Sequence, residues 1–571
     1  MFSNKPNILQ LASLMLQYGI RHVVLSPGSR NAPLIHTFTQ HPDFTCYTVV
    51  DERSAAFFAL GLSQKLQQPV AACCTSGTAL LNYGPAIAEA FYQEIPLLVI
   101  SADRPEAWIG QADGQTIPQN GAFAAITKKS VQLPEPTNDT DEWYCNRLIN
   151  ESLIQLTANG NGPVHINVPL SEPLYQFTTP ALPEARQITF HAAKPSFEIE
   201  HVKSVWSTSS KRMIVVGQLP PENGLDNILA SLLQKGDVVI LAEQIGNVHT
   251  SQQIGNFDLV LALLSEEELN NYAPDLLITL GGHLTSKRLK QLLRKHKPQH
   301  HWDIRPDGKV KDTFQTLTDL IPTDAGDFLQ QLAENIITEK DKENNFSKLW
   351  QDKSMKVDQE VARFMKESPF SDLTVINAFI QSLPQQSSLH LSSSAPIRYA
   401  QICNLNPTVS VLSNRGTNGI DGSMSTAVGY ATANEGMTFL LIGDLSFFYD
   451  INALWNKQIS KNLRILLVNN GGGNMFHLIN GPQQSEAMEG YIACHHSESA
   501  KDRVLAFGLH YLSATNFDEL DRCLPYFCNP DEDYPLVLEV FTHTETNAYV
   551  FSRLFDALKE NLMTHDFIGY D

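Results

Sequence analysis

The sequence predicts an α/β protein built from three doubly wound parallel-sheet domains, and three observations carry that prediction. Short apolar runs of strand length alternate with longer amphipathic stretches of helix length along most of the chain. At 571 residues the chain exceeds what one hydrophobic core can organise, so about three units are expected. Two distant segments also repeat one order of elements. Both "VVDERSAAFFALGLSQKLQQPVAACCTSGTALLN" and "VLSNRGTNGIDGSMSTAVGYATANEGMTFLLIGDLSFFYDINAL" run strand, polar turn, small-residue helix, strand, turn, helix. Two like units around a different middle one form an internal repeat.

The first domain is expected over residues 1–179. It opens with "MFSNKPNILQLASLMLQYGI", which lacks a basic start followed by an apolar block and reads as an amphipathic helix instead. "HVVLSPGSR", "TCYTVVDER", "VAACCTSGT", "PLLVISADRP" and "GPVHINVPL" then read as strands ending in polar or glycine-containing turns. A proline-dotted linker is expected over 180–205. The middle domain, 206–338, has "RMIVVGQ", "GDVVILAE", "PDLLITLGG" and "HHWDIRPD" as strands and "AGDFLQQLAENII" as its closing helix. A polar helical linker over 339–370 leads to the third domain, 371–571. There Phe439–Gly443 and Arg464–Val468 read as buried strands, with Asp450–Ser460 as the helix of a β-α-β crossover between them.

Composition narrows the function classes. A net charge of −20 argues against nucleic acid, whose phosphates reward basic surfaces. No stretch approaches the ~20 apolar residues of a membrane span. Eight cysteines occur without a CxxC pair, and Cys73 and Cys74 adjoin inside an apparent strand, as buried thiols of a reducing compartment would. A cytoplasmic protein is therefore expected. In so acidic a chain, arginines at strand ends are candidate binders of an anionic small molecule.

The third domain supplies the sharpest chemical pattern. Asp444 closes one strand and Asn470 closes the next, 26 positions later, followed by three glycines. Both would sit past the C-terminal ends of neighbouring parallel strands, the edge at which open α/β sheets bind ligands. A carboxylate, an amide oxygen and a backbone carbonyl are hard oxygen ligands, suited to Mg²⁺ carrying a phosphate-bearing cofactor.

Gly443-Asp444, Asn469-Asn470 and the strand-closing Glu52 of "VVDERSAAF", in this domain order, resemble thiamine-diphosphate-dependent enzymes of the acetohydroxyacid synthase and pyruvate decarboxylase type. The resemblance covers essentially the whole chain. It implies a pyrimidine-binding, a middle and a diphosphate-binding domain, in that order. "SPGSRNAPL", "DERSAAFFALG", "TSGTALLN", "SADRP", "SNRGTNGIDGSMSTAVG" and "GDLSFFYDINAL" are similar to the branch of that superfamily serving menaquinone biosynthesis. That branch decarboxylates 2-oxoglutarate on thiamine diphosphate and adds the succinyl carbanion equivalent to isochorismate in a 1,4-addition.

The resemblance assigns roles to residues. Glu52 would hydrogen-bond N1′ of the aminopyrimidine and favour the tautomer that deprotonates C2, a task helped by desolvation of the carboxylate. Without the resemblance, Glu52 also reads as a carboxylate favoured at a helix N-terminus. Asp444, the Asn470 side chain and the Gly472 carbonyl would bind Mg²⁺, with Mn²⁺ as a substitute. Ile420 would separate the two cofactor rings, and Ser76, Gly77, Thr78, Leu445, Ser446 and Met475 would line the cofactor. Both substrates carry two carboxylates, which calls for several cations, preferably arginines. Arg30, Arg104, Arg398 and Arg415 match the family's substrate arginines, with Ser29, Gln115 and Ser394 beside them. Lys287 would be the middle domain's contribution, although "SKRLKQLLRKHK" also reads as a solvated basic helix face. Phe476 and Ile479 would form an apolar wall.

Three positions depart from the family pattern: Leu445 and Gly114 where relatives often have glycine and asparagine, and Gly471 where an asparagine is common. Asp113 is the candidate replacement for the missing contact at Gly114. Because Glu52 and Asp444 lie in different domains, the resemblance implies a homodimer with active sites at the subunit interface, assembling further to a homotetramer. Two other readings are weighed against this one. A pyruvate-using carboligase or decarboxylase predicts fewer cations than the five here. A nucleotide-binding regulatory protein that keeps only the fold predicts loss of Glu52 or Asp444, and both are present. A dinucleotide-dependent dehydrogenase is disfavoured, because no G-x-G-x-x-G follows a strand.

Overall fold

The structure, a computed structural model, describes residues 1–192, 197–235, 237–336, 345–478, 481 and 484–563. Three parallel sheets organise them, as expected. The first contains β1 (His22–Leu25), β2 (Thr45–Thr48), β3 (Val70–Cys74), β4 (Leu97–Asp103), β5 (Lys129–Gln132) and β6 (Val164–Pro169) in the order β2-β1-β3-β4-β6-β5. The middle sheet contains β7 (Arg212–Val216), β8 (Val238–Ala242), β9 (Leu276–Leu280), β10 (His300–Ile304) and β11 (Asp319–Ile321) in the order β11-β10-β9-β7-β8. The third contains β12 (Ser388–Leu391), β13 (Ser410–Ser413), β14 (Thr438–Gly443), β15 (Leu463–Asn469), β16 (His510–Ala514) and β17 (Leu536–Phe541). Its order is β13-β12-β14-β15-β17-β16. Counted from its own first strand, that is the permutation of the first sheet, so the repeat in the sequence is a repeat of topology.

Strands such as β3 and β15 are buried along their whole length, which is why they read as continuous apolar runs rather than alternating ones. The N-terminal segment forms the expected helix, Pro6–Gln17. The helix Ile199–Thr208 begins inside the expected linker and packs Val202, Val205 and Trp206 into the core of the middle sheet. Edge strands β5 and β11 escaped sequence reading because they are short and only partly apolar.

One expected element is corrected. Asp450–Ser460 is not an α-helix; the crossover helix is Asp444–Tyr449, followed by a 3-10 turn at Ile451–Leu454. The helix starts as soon as β14 ends and buries Phe447. Asp450 then ends it by turning its carboxylate to another helix, accepting from Ser425 N and Oγ, both at 2.7 Å.

The first and third domains meet through equivalent helices, Glu52–Leu66 after β2 and Ser423–Ala433 after β13. The contact is reciprocal. A Cβ on Gly61 would lie 2.0 Å from the Thr426 carbonyl oxygen, and one on Gly429 would lie 2.1 Å from that of Phe58. Only glycine permits this approach, and it merges Phe57, Phe58 and Leu60 with Met424, Ala427 and Val428 into one core. Among the described residues no helix is long and apolar enough to cross a membrane.

Candidate active site

The C-terminal edge of the third sheet gathers the predicted metal ligands. β14 delivers Asp444 to the first turn of its helix, and β15 delivers Asn470 and the glycines. Asp444 Oδ1 accepts from the Leu445 amide at 2.6 Å; Oδ2 accepts from the amides of Gly471 at 2.8 Å and Gly472 at 3.0 Å. Burial raises the Asp444 carboxyl above its usual range against these bonds and the nearby His496, whose Nε2 lies 3.4 Å from Oδ2.

Asn470 is oriented from behind. Its Nδ2 donates to Asp372 Oδ2 at 2.8 Å, which leaves its buried Oδ1 with no hydrogen-bond partner. Asn474 donates to the same Asp372 oxygen at 3.4 Å, and its Oδ1 is likewise buried and unpartnered. Asp372 is itself buried, and its carboxyl is raised first by desolvation and further by the charge of Asp444. Two buried carboxylates that repel each other, beside orphaned amide oxygens, form a donor set that a divalent cation would satisfy.

The backbone ligand can be weighed by counting lone pairs. The Gly471 carbonyl already accepts from the His496 amide at 3.0 Å and from His495 Nδ1 at 3.1 Å. The Gly472 carbonyl accepts only from the Asn474 amide, at 3.0 Å, among the described bonds. Gly472 has φ +147°, and a Cβ there would lie 2.8 Å from the Ala493 oxygen, so the cradle requires glycine. Ser446 and Met475 are buried beside this edge and Leu445 is half-buried. Phe476 packs its ring over Gly473. Ile479 lies outside the described residues.

The first sheet presents a different edge. Asp51 caps the helix that Glu52 begins, accepting from the Ser54 amide at 3.2 Å. Glu52 is half-buried; desolvation raises its carboxyl, its own amide lowers it, and Asp51 raises it further. Ser76 and Gly77 are buried in the turn after β3, where the Gly77 amide donates to Gln119 Oε1 at 2.7 Å, and Thr78 is exposed. Ile420 is 39% exposed despite being apolar, in the loop before the helix Ser423–Ala433.

The cationic residues fall into two sets. Arg30 and Arg104 both act on the Asp103 carboxyl at the end of β4, pulling it down against the larger effect of burial. Arg30 Nη1 donates to the Leu170 carbonyl at 3.0 Å and lies 3.2 Å from Glu172. Arg104 Nε donates to Gly114 O and lies against Asp113, each at 2.8 Å. Asp113 therefore engages Arg104 rather than standing open as a replacement for the side chain missing at Gly114. Ser29 and Gln115 are exposed nearby in sequence.

The second set spans the middle and third domains. Arg415 is half-buried, with its pKa lowered by desolvation and by Arg398, and supported by Glu243 and Glu89. Its loop is clamped by Glu89, which accepts from the amides of Gly416 and Thr417, both at 2.7 Å. Lys287 is exposed at the start of the helix Lys287–Lys295. One turn on, Lys290 is half-buried, its pKa lowered by desolvation, supported by Glu243 and lowered again by Arg415. Lys290, which the sequence reading did not single out, thus shares Glu243 with the half-buried Arg415, whereas Lys287 is exposed. Ser394 adopts φ +77° ahead of the helix Ala395–Ala400 that carries the exposed Arg398, and the buried hydroxyls of Ser392 and Ser393 lack partners.

Sequence reading also missed Asp372, Asn474, His496 and Glu89. Asn474 was within reach, four positions beyond Asn470 in a glycine-rich turn. Asp372 and Glu89 reach the site from 98 and 327 positions away, and no local pattern marks them.

Comparison with known proteins decides the family. Residues 9–125 match "Thiamine pyrophosphate enzyme, N-terminal TPP binding domain", and residues 184–391 match "Middle domain of thiamine pyrophosphate". The chain is 46% identical over 568 residues to a protein of Bacteroides fragilis named 2-succinyl-5-enolpyruvyl-6-hydroxy-3-cyclohexene-1-carboxylate synthase, covering 98% of this chain and 100% of that one. Proteins of the same name from Flavobacterium johnsoniae and Desulfotalea psychrophila are 39% and 40% identical. These alignments cover 95% and 94% of this chain, and 96% and 98% of theirs. The chain belongs to this synthase family. It is an α/β member of the thiamine-diphosphate enzymes, with three parallel-sheet domains of which the first and third repeat one topology.

Proposed function

We propose that the protein decarboxylates 2-oxoglutarate and adds the succinyl unit to isochorismate in a 1,4-addition. The products would be 2-succinyl-5-enolpyruvyl-6-hydroxy-3-cyclohexene-1-carboxylate and CO₂, a transferase step of menaquinone biosynthesis in the cytoplasm. The observation that carries the reading is the 46% identity across 98% of the chain to a protein bearing that synthase's name.

Thiamine diphosphate, when bound, supplies the electron sink on which the carboxylate of a 2-oxo acid can leave. The chain's own residues do the rest. Asp444, the Asn470 side chain and the Gly472 carbonyl would hold Mg²⁺, or Mn²⁺ in its place, and with it the diphosphate. Asp372 holds the Asn470 amide nitrogen, which would leave the amide oxygen available to the ion. Leu445, Ser446, Met475, Ser76, Gly77 and Thr78 would line the cofactor, and Ile420 would fill the space between its rings. Glu52 would hold a proton against N1′ of the aminopyrimidine, a sharing that its desolvated carboxyl favours. Arg30, Arg104, Arg398, Arg415, Lys287 and Lys290 would grip the substrate carboxylates, with Ser29, Gln115 and Ser394 as polar partners and Phe476 and Ile479 as the apolar wall.

The assembly that the family resemblance implies is a homodimer, itself pairing into a homotetramer. Glu52 and Asp444 follow strands of different sheets, and the apolar Val50, Leu81, Ile420 and Tyr449 are exposed. A second subunit would cover these side chains and complete each site.

The test mixes the purified protein with thiamine diphosphate, Mg²⁺ and isochorismate, and offers 2-oxoglutarate or pyruvate as donor. Consumption of isochorismate only with 2-oxoglutarate is expected. Consumption only with pyruvate would overturn the substrate reading and leave the cofactor reading standing; none with either would overturn both.

A further inference from the structure

Beside the oxygen-lined site lies a second cluster of a different chemical kind. His477, on the short helix Met475–Leu478, Glu489, on the turn Met488–Ile492, and His495 present ligand atoms all within 4.8 Å of one another. The hydrogen bonds fix the tautomer of His495. Its Nδ1 lies 3.1 Å from the Gly471 carbonyl oxygen, which can only accept, so Nδ1 carries the hydrogen. A neutral His495 then turns the Nε2 lone pair toward Glu489 Oε2, 2.5 Å away. Two acceptors at that separation repel unless a proton or a metal cation binds both. His477 Nε2 faces the same carboxylate oxygen at 3.8 Å, so three potential donors converge on one point.

We propose that His477, Glu489 and His495 bind a transition-metal dication of the Zn²⁺ class. Two imidazoles and a carboxylate are the ligand set that Zn²⁺, Co²⁺ and Ni²⁺ prefer and Mg²⁺ does not. The geometry is within reach. Ligand atoms about 2.0–2.1 Å from a tetrahedral ion stand about 3.3 Å apart. The observed separations of 2.5 and 3.8 Å straddle that value, and the exposed Glu489 side chain can make up the difference. The bond from His495 Nδ1 to a backbone carbonyl is the usual outer support of a metal-bound histidine. The fourth position would go to water. Such an ion would tie the helix that follows the glycine run to the Gly471 carbonyl, next to the residues proposed to hold Mg²⁺.

The experiment uses the full chain, stripped by a chelator and then saturated with Mg²⁺ and thiamine diphosphate so that the oxygen site is filled. Zn²⁺ is titrated by calorimetry, and Co²⁺ by its visible absorption. The wild type is expected to take up one ion per chain, with the intense Co²⁺ bands of a tetrahedral site. Glu489→Gln and His495→Ala should each weaken binding by at least about tenfold. Saturable uptake with equal affinity in both variants would overturn the proposal by placing the ion elsewhere. Absence of saturable uptake by the wild type would also overturn it, leaving a protonated His495 paired with Glu489. Because Glu489→Gln changes an exposed side chain isosterically, loss of binding in that variant cannot be ascribed to misfolding.

Discussion

The first and third sheets share one strand order, yet their C-terminal edges differ in chemistry. At the third, Asp444 accepts three backbone amides, beside the buried, unpartnered amide oxygens of Asn470 and Asn474. Such an edge suits the proposed cation. At the first, Glu52 opens a helix with a carboxyl raised chiefly by desolvation, which suits the proposed sharing of a proton. The difference lies in the turn after the strand. A run of glycines lets amides and carbonyls converge, while a small-residue helix withdraws water from one acid. A repeated framework thus leaves the chemistry of each edge to a few turn residues.

The comparison predicts separable losses. The largest effect is expected from Asp444→Ala, which should abolish Mg²⁺-dependent retention of thiamine diphosphate and activity with it. Calorimetry showing wild-type cofactor binding would break the assignment. Glu52→Gln should leave cofactor binding in place and lower turnover by roughly 10²–10⁴-fold, the range of acid–base assistance. Unchanged turnover would remove the proton-holding role from the first edge.

A subtler effect is expected one layer out. Asp372→Ala leaves the Asn470 amide without its acceptor and free to turn, so Mg²⁺ affinity should fall about 10–100-fold, as for other partners that orient a ligand. Asp372→Asn keeps an acceptor oxygen and should recover part of that loss. Equal Mg²⁺ affinities for both variants and wild type, read by calorimetry with thiamine diphosphate present, would assign Asp372 to folding alone.

How far the sequence discloses all this follows the range of each interaction. Strand cores, Asp444, Asn470 and Glu52 are legible because apolar runs and the turns that close them are contiguous. The crossover helix was misplaced because "INALW" carries apolar residues in a stretch long enough for a helix, while the six-residue helix Asp444–Tyr449 is too short to show a period. Asp372 could not be read at all, since nothing near position 372 speaks of Asn470. Lys290 was hidden for another reason. In a helix with five basic residues, only the fold tells which cation turns inward toward Glu243.

The two helices that join the sheets carry the same contrast, and the last prediction turns on it. Glu52–Leu66 is capped by its own neighbour, Asp51. Ser423–Ala433 starts at Gly422, which has no side chain to cap with, and the bond to the Ser425 amide comes from Asp450, 25 positions on. That remote cap is fully buried, and burial pushes its carboxyl from 3.8 up to about 6, against the Ser425 bonds and Arg53, with Asp421 adding to the rise. The fold thus binds the Asp450 proton more tightly than the unfolded chain does. The stabilisation this gives is complete below pH 3.8 and is lost as pH rises through about 6. Asp450→Asn keeps an oxygen for the cap and has no proton to lose. Its stability relative to wild type, measured by denaturant unfolding, should therefore improve from pH about 4 to about 6 and stay level above, with little change in turnover at neutral pH. A difference that does not vary across that window would mean that the buried cap is no costlier to ionise in the fold than in the unfolded chain.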